Sequence, residues 1–200
     1  MVYEPGQLAQ IVPYLNKVPS WLILGGPADG DEAQTAVKIY PELRVVGIEP
    51  VEAYRHWQLE NGWPCGAPLL AGALTDSDSP PLVSLYQPAS NPRAASLMVE
   101  RGGVVCQVSS VTIDQLDRLW GPFSDVLLWL DIEGYEVEAL RGARELFKRQ
   151  AVMAVNVEVI QRRAQATNAL EAFFAEYNFR LAARWNQRDD QFHDRVYVRG

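Results

Sequence analysis

The sequence predicts an α/β fold built on a doubly wound, mostly parallel sheet, and three observations lead to it. Buried-strand runs such as Trp21–Leu24, Arg44–Glu49 and Asp125–Asp131 alternate with stretches of helical period, the rhythm of βαβ units. Those runs are apolar on successive residues, as strands covered on both faces are. The chain closes on two strand-like runs, Phe179–Trp185 and Phe192–Arg199, joined by the short turn Asn186–Gln191. That hairpin puts one antiparallel strand into the sheet.

Each element has a local reason. Trp21–Leu24 stops at Gly25-Gly26-Pro27, a strand ended by a turn. Asp31–Tyr40 sets Ala33, Ala36, Val37 and Tyr40 on one helical face, and Pro41 ends it. Arg44–Glu49 is a second strand, broken by Pro50 ahead of a helix over Val51–Glu60. Pro68–Leu74 is a third strand. The irregular stretch Thr75–Gly103, rich in Ser, Pro and Asp, holds a short strand at Val83–Gln87, and another follows at Val104–Val108. Thr112–Trp120 is a helix for which Ser110 or Thr112 supplies the cap. Asp125–Asp131 is the strongest buried strand, and Tyr135–Arg149 follows as one long amphipathic helix. Ala151–Val159 is a strand and Ala166–Tyr177 a helix. Residues 21–200 are expected to form one domain, with 1–20 a helical lead segment.

Composition narrows the classes. With 48% hydrophobic and 22% charged residues, the chain is neither disordered nor coiled coil. At 200 residues it buries enough surface to fold without disulfides or structural metal. Its two cysteines, Cys65 and Cys106, form no CxxC pair, which excludes a zinc ribbon and is expected to leave two reduced thiols. A net charge of −7 disfavours phosphate backbones, so no nucleic-acid partner is expected. No apolar run approaches the roughly 20 residues of a membrane span, and the start MVYEPGQLAQ lacks the pattern of a signal peptide. The expectation is a soluble, cytoplasmic protein.

In doubly wound sheets, ligands bind outside the carboxyl ends of the strands. The polar residues there are Gly25, Gly26, Asp29 and Gly30 after the first strand, and Glu49 after the second. Thr75, Asp76 and Asp78 follow the third, Asp131 and Glu133 the fourth, and Asn156 and Glu158 belong to the fifth. The glycine turn lets backbone approach a ligand before a helix N-terminus, although Pro27 breaks the GxGxxG frame. Glu49 lies 19 residues after Gly30 at a strand end, where an acid can accept both ribose hydroxyls. In Asp131-Ile132-Glu133-Gly134-Tyr135-Glu136 the acids read two ways: as groups facing a ligand, or as carboxylates serving the first turn of a helix.

The segment Val111–Phe147 resembles the signature of FkbM-type S-adenosylmethionine-dependent methyltransferases. The resemblance rests on Thr112, Asp114 and Leu116, then Asp131, Glu133, Gly134 and Glu136, then Leu140, Gly142 and Ala143. Upstream, Gly47-Ile48-Glu49-Pro50 and Ala73-Leu74-Thr75-Asp76 are similar to the family's second and third strand exits. Downstream, Val157-Glu158-Val159 and Asp194–Val198 suit its last strands, so the likeness runs from about Trp21 to the C-terminus. One position departs: the acid of the family's first motif falls on Leu24, and its Asn on Ala28.

The resemblance implies a seven-stranded, Rossmann-like class I methyltransferase sheet and S-adenosylmethionine as cofactor. It favours O-methylation of a small-molecule, sugar, lipid-linked glycan or polyketide hydroxyl. Gly25, Gly26, Gly30, Glu49, Asp76 and Asp131 would then face the cofactor. Asp131 and Glu133 would be catalytic, and Glu136 and Glu158 would stand on the acceptor side. No metal is expected; a metal-assisted variant would use Asp131, Glu133 and Glu158 as oxygen ligands. If Leu24 faces the ligand, Leu24→Asp should tighten cofactor binding. The alternatives are a non-catalytic binding domain with a degenerate cofactor site and a nicotinamide-dependent oxidoreductase, the latter opposed by the missing GxGxxG and the terminal hairpin. The acceptor and the oligomeric state are not legible in the sequence.

Overall fold

The computed structural model describes residues 7–28, 30–88, 94–98, 103–160, 164–185 and 192–200. Helix α1 (Gln7–Ile11) and a single 3₁₀ turn (Val12–Tyr14) lead into β1 (Trp21–Gly25), α2 (Asp31–Ile39), β2 (Arg44–Glu49) and α3 (Glu52–Asn61). Then come β3 (Leu69–Ala71), β4 (Ala73–Leu74), β5 (Leu82–Gln87), β6 (Val104–Val111), α4 (Ile113–Trp120) and β7 (Val126–Leu130). The chain ends with α5 (Glu136–Arg141), α6 (Arg144–Lys148), β8 (Val152–Ile160), α7 (Ala164–Glu176), β9 (Phe179–Trp185) and β10 (Phe192–Arg199).

The main sheet has seven strands in the order β3-β2-β1-β7-β8-β10-β9. β1 pairs in parallel with β2 on one side and with β7 on the other. β10 runs antiparallel to both of its neighbours, as the terminal hairpin requires. The middle strands are buried on both faces. One cluster gathers Ile23, Val46, Ile48, Leu128 and Leu130 with residues of α4 to α7. The other gathers Leu22, Leu24, Val45, Leu127 and Trp129 with Leu8 and Ile11 of α1 and Ala33 and Ala36 of α2. From β1 the chain first winds outward through β2 to β3, then returns to β7 on the opposite side of β1. The crevice at that reversal opens at the carboxyl ends of β1, β2 and β7.

Three expectations change. The third strand is two pieces: β3 stays in the main sheet, whereas Ala73 and Leu74 pair with Ser110 and Val111 of β6 in a separate sheet of order β4-β6-β5. That pairing also carries β6 past Val108 to Val111. The long helix over Tyr135–Arg149 is broken at Gly142-Ala143 into α5 and α6. A side chain on Gly142 would put its Cβ 2.1 Å from the Thr75 carbonyl oxygen, so only glycine lets that backbone pass so close to the junction of the two helices.

Around this break Thr112, Asp114 and Leu116 serve the fold. Thr112 caps α4 through a reciprocal pair: its Oγ1 accepts the Gln115 N–H at 3.1 Å, and its own N–H donates to Gln115 Oε1 at 2.8 Å. Asp114 reaches across to α6, accepting the N–H groups of Glu145 (3.1 Å) and Leu146 (3.3 Å). Leu116 is fully buried between these helices and the sheet.

Candidate active site

The glycine turn closes against β2 and β7. The Gly26 N–H donates to the Ile48 carbonyl at 3.0 Å, and the Asp131 N–H donates to the Gly25 carbonyl at 3.1 Å. Gly26 has φ +70°, and a Cβ there would lie 2.1 Å from the Asp131 carbonyl oxygen, so only glycine lets the two turns meet. Gly30, also left-handed, opens α2. Asp29 lies outside the described residues.

Glu49 ends β2 with 3% of its surface exposed. One carboxylate oxygen accepts the Val51 N–H at 2.8 Å, and the other accepts the Ala28 N–H at 3.2 Å. Burial pushes its pKa up to about 7, against the lowering effect of those two amides and of the Arg55 charge. Each oxygen retains a further lone pair for a ligand hydroxyl. Arg55 braces the same turn by donating to the carbonyls of Glu49 (2.8 Å) and Pro50 (3.0 Å).

After β7 the chain makes an unusual turn. Glu133 takes φ +56° and Gly134 φ +99°, a left-handed pair in which a glutamate is uncommon. Glu136 holds the turn from beneath, its Oε1 accepting the N–H groups of Ile132 (3.2 Å) and Gly134 (3.0 Å). Full burial raises the Glu136 pKa to about 7. From above, the Ser96 hydroxyl donates to the Glu133 carbonyl at 2.9 Å. The turn so held brings oxygens of Asp131, Glu133 and Glu158 within 4.8 Å of one another. Burial first, and then the charges of Asp131 and Glu133, push Glu158 up to about 9, so it carries a proton at neutral pH. Glu158 Oε2 is buried without a hydrogen-bond partner. The spacing and oxygen chemistry of this trio would also suit a divalent cation.

A cleft of about 520 Å³ runs between the two turns. Of the residues expected from sequence, Gly26, Glu49, Asp131 and Glu133 line it. Gly25, Gly30, Asp76, Glu136 and Glu158 are not among its lining residues. Gly25 packs on Leu74 and Ile132, and the Asp76 carboxylate accepts the Asp78 N–H and the Ser79 hydroxyl of its own loop. Leu24 is 1% exposed within the apolar cluster on the α2 side, so the condition for the Leu24→Asp gain is not met: the side chain faces the core. Sequence reasoning missed Tyr54, Tyr135, Leu85 and Leu97 in the wall. Leu85 and Leu97 arrive only because Tyr86 and Ser96 exchange backbone hydrogen bonds of 2.8 and 2.9 Å, a pairing that no local periodicity signals.

The sheet order and the cleft at its switch point are those of class I methyltransferases. Aeropyrum pernix fibrillarin, solved with natively bound S-adenosyl-L-methionine, matches with TM-score 0.58 at 10% identity, covering 96% of this chain and 73% of that one. Precorrin-6y C5,15-methyltransferase from Geobacter metallireducens matches with TM-score 0.54 at 11% identity, covering 96% and 87%. An rRNA methylase from Streptococcus thermophilus matches with TM-score 0.54 at 8% identity, covering 100% and 98%. At such identities the likeness is one of fold. The methyltransferase FkbM domain model matches residues 26–181, and the chain belongs to that family. No curated protein matches the sequence.

The family's cofactor, S-adenosylmethionine, fits the residues present. It offers ribose hydroxyls to an acid such as Glu49 and an adenine to an apolar wall such as that of Ile48, Val51 and Leu74. The N–H groups of Gly26, Ala28 and Gly30 are already engaged by Ile48, Glu49 and Pro27. Among the described residues no helix is long and apolar enough to cross a membrane.

Proposed function

We propose that the chain O-methylates a hydroxyl on a small-molecule, sugar or polyketide-type acceptor. One observation carries this reading: Glu133 lines the cleft beside Asp131, with its carboxylate in a cluster whose third member, Glu158, is kept protonated. The bound cofactor supplies an electrophilic methyl group on a sulfonium. Glu133 would orient the acceptor hydroxyl and take its proton as the acceptor oxygen gains the methyl group, the methyl carbon–sulfur bond breaking to leave a neutral thioether. Asp131 offers a negative charge to the sulfonium end. The protonated Glu158 lowers the repulsion that three charged carboxylates would suffer so close together. Alignment and exclusion of water supply most of the acceleration, because charge disperses in this displacement.

Acceptor chemistry follows from charge. A net charge of −7 and carboxylates in the cleft wall argue against a polyphosphate backbone as substrate. The free thiols of Cys65 and Cys106 support a reducing, cytoplasmic setting. The test is methyl transfer to a panel of hydroxylated acceptors by the wild type, Asp131→Asn and Glu133→Gln, with thermal stability measured in parallel. Rates lower by about 10²–10⁴-fold at little-changed melting temperature are expected. Normal turnover by both variants would leave these acids as turn-forming residues and refute the proposal.

A further inference from the structure

Gln58 stands on α3, behind the cleft wall, and is 1% exposed. Its Nε2 donates to the Ala28 carbonyl at 2.6 Å, across a sequence separation of 30 residues. Its Oε1 is buried and has no hydrogen-bond partner among the described residues. The amide orientation is fixed by chemistry, because turning it over would set oxygen against the carbonyl oxygen of Ala28. A buried amide satisfied at one end only is a liability for stability. Filling the space beneath Gly30, where the Gln58 Cγ lies 3.5 Å from a Cβ built on that glycine, would be done better by methionine or leucine. What neither can do is hold the Ala28 oxygen.

Ala28 is the residue that needs holding. It lines the cleft with φ +37°, a left-handed backbone that a residue with a Cβ adopts at a cost. Its N–H is taken by the Glu49 carboxylate and its carbonyl by Gln58, so both polar groups of one strained residue are tied from two elements. Released, the carbonyl could turn its partial negative charge toward the cleft, against any anionic ligand group seated on the turn. We infer that Gln58 is a positioning residue for cofactor binding: it keeps the Ala28 carbonyl behind the wall and so out of the cleft.

The experiment is calorimetric binding of S-adenosylhomocysteine, which needs no acceptor, to the wild type, Gln58→Met and Gln58→Glu from pH 5 to 9. Gln58→Met keeps the volume, removes the orphaned oxygen and loses the donor; it should bind about tenfold or more weakly at every pH, with its melting temperature close to wild type. Gln58→Glu restores a donor only while the introduced carboxyl is protonated. Burial raises that carboxyl's pKa, so the affinity ratio of variant to wild type should be near one at pH 5 and fall as pH rises. Dividing by the wild type removes the titration of Glu49, which both proteins share. If Gln58→Met does not fold, the ratio for Gln58→Glu decides alone. Wild-type affinity in Gln58→Met, or a ratio for Gln58→Glu that is flat with pH, would overturn the assignment. A wild type that binds no S-adenosylhomocysteine at all would instead tell against the cofactor site itself.

Discussion

The Glu49 carboxylate crosses from the end of β2 to the Ala28 amide, 3.2 Å away, and so ties the acid of the second strand to the turn after the first. The same carboxylate accepts the Val51 N–H that starts the run into α3. One buried acid therefore fixes the shape of two loops and still faces the cleft between them. Because burial keeps its pKa near 7, a change of pH acts on this joint directly.

Stability should fall as pH rises through the neutral range. The unfolded chain releases protons from Glu49 and Glu136 near 4.5, whereas the folded protein keeps them until about 7. Between those values the folded state binds more protons, so its advantage is complete below about 4.5 and is lost as pH passes 7. The span corresponds to roughly 3 kcal/mol for each group as an upper bound. A melting temperature several degrees higher at pH 5 than at pH 8 is expected, and Glu136→Gln should flatten the slope. A melting temperature that climbs over this range would contradict the burial of both acids.

Leu24→Asp should destabilise and should not improve cofactor affinity. The side chain sits in the apolar cluster against Ala33 and Ala36, where a carboxyl finds no polar partner to offset its lost hydration. A cost of roughly 3–5 kcal/mol, on the order of 10 °C in melting temperature for a chain of this size, is expected. Thermal denaturation beside a binding titration checks it; tighter binding at unchanged stability would show that the position faces ligand after all.

Glu158→Gln should match the wild type in acid and become the more stable of the two as pH rises through neutrality. The folded protein keeps the Glu158 proton up to about pH 9, whereas the unfolded chain releases it near 4.5. Between those values the folded wild type binds the extra proton, so its stability declines as pH rises from about 4.5 to 9, while an amide of the same size contributes no such decline. Melting curves at pH 5 and pH 9 separate the two behaviours, and equal losses in both proteins would exclude Glu158 as the group responsible.

The alternation of strands and helices was legible because β1 and β7 carry no polar side chain, and the terminal hairpin announced the antiparallel β10. Leu74 shows what was not: its pairing with Val111 belongs to a second sheet whose partners lie 37 positions apart. Gly142 stands where α5 gives way to α6, with the Thr75 carbonyl too close for any side chain, a contact invisible to helical periodicity. At the site, Glu49, Asp131 and Glu133 could be found as acids following strands. Glu136 shares that signature, yet its carboxylate turns inward to the amides of Ile132 and Gly134, because spacing along a chain does not say which acid faces the ligand. Thr112 and Asp114 likewise carry the family likeness while capping helices.

Calorimetry of S-adenosylhomocysteine binding to the wild type and to Glu49→Ala tests most directly that the cleft between Ala28, Glu49 and Asp131 is the cofactor site. Loss of charge-assisted hydrogen bonds worth about 1.5–3 kcal/mol should weaken binding by about tenfold to a hundredfold. The fold should remain intact by circular dichroism. Equal affinities in the two proteins would remove Glu49 from the site and contradict the placement of the cofactor in this cleft.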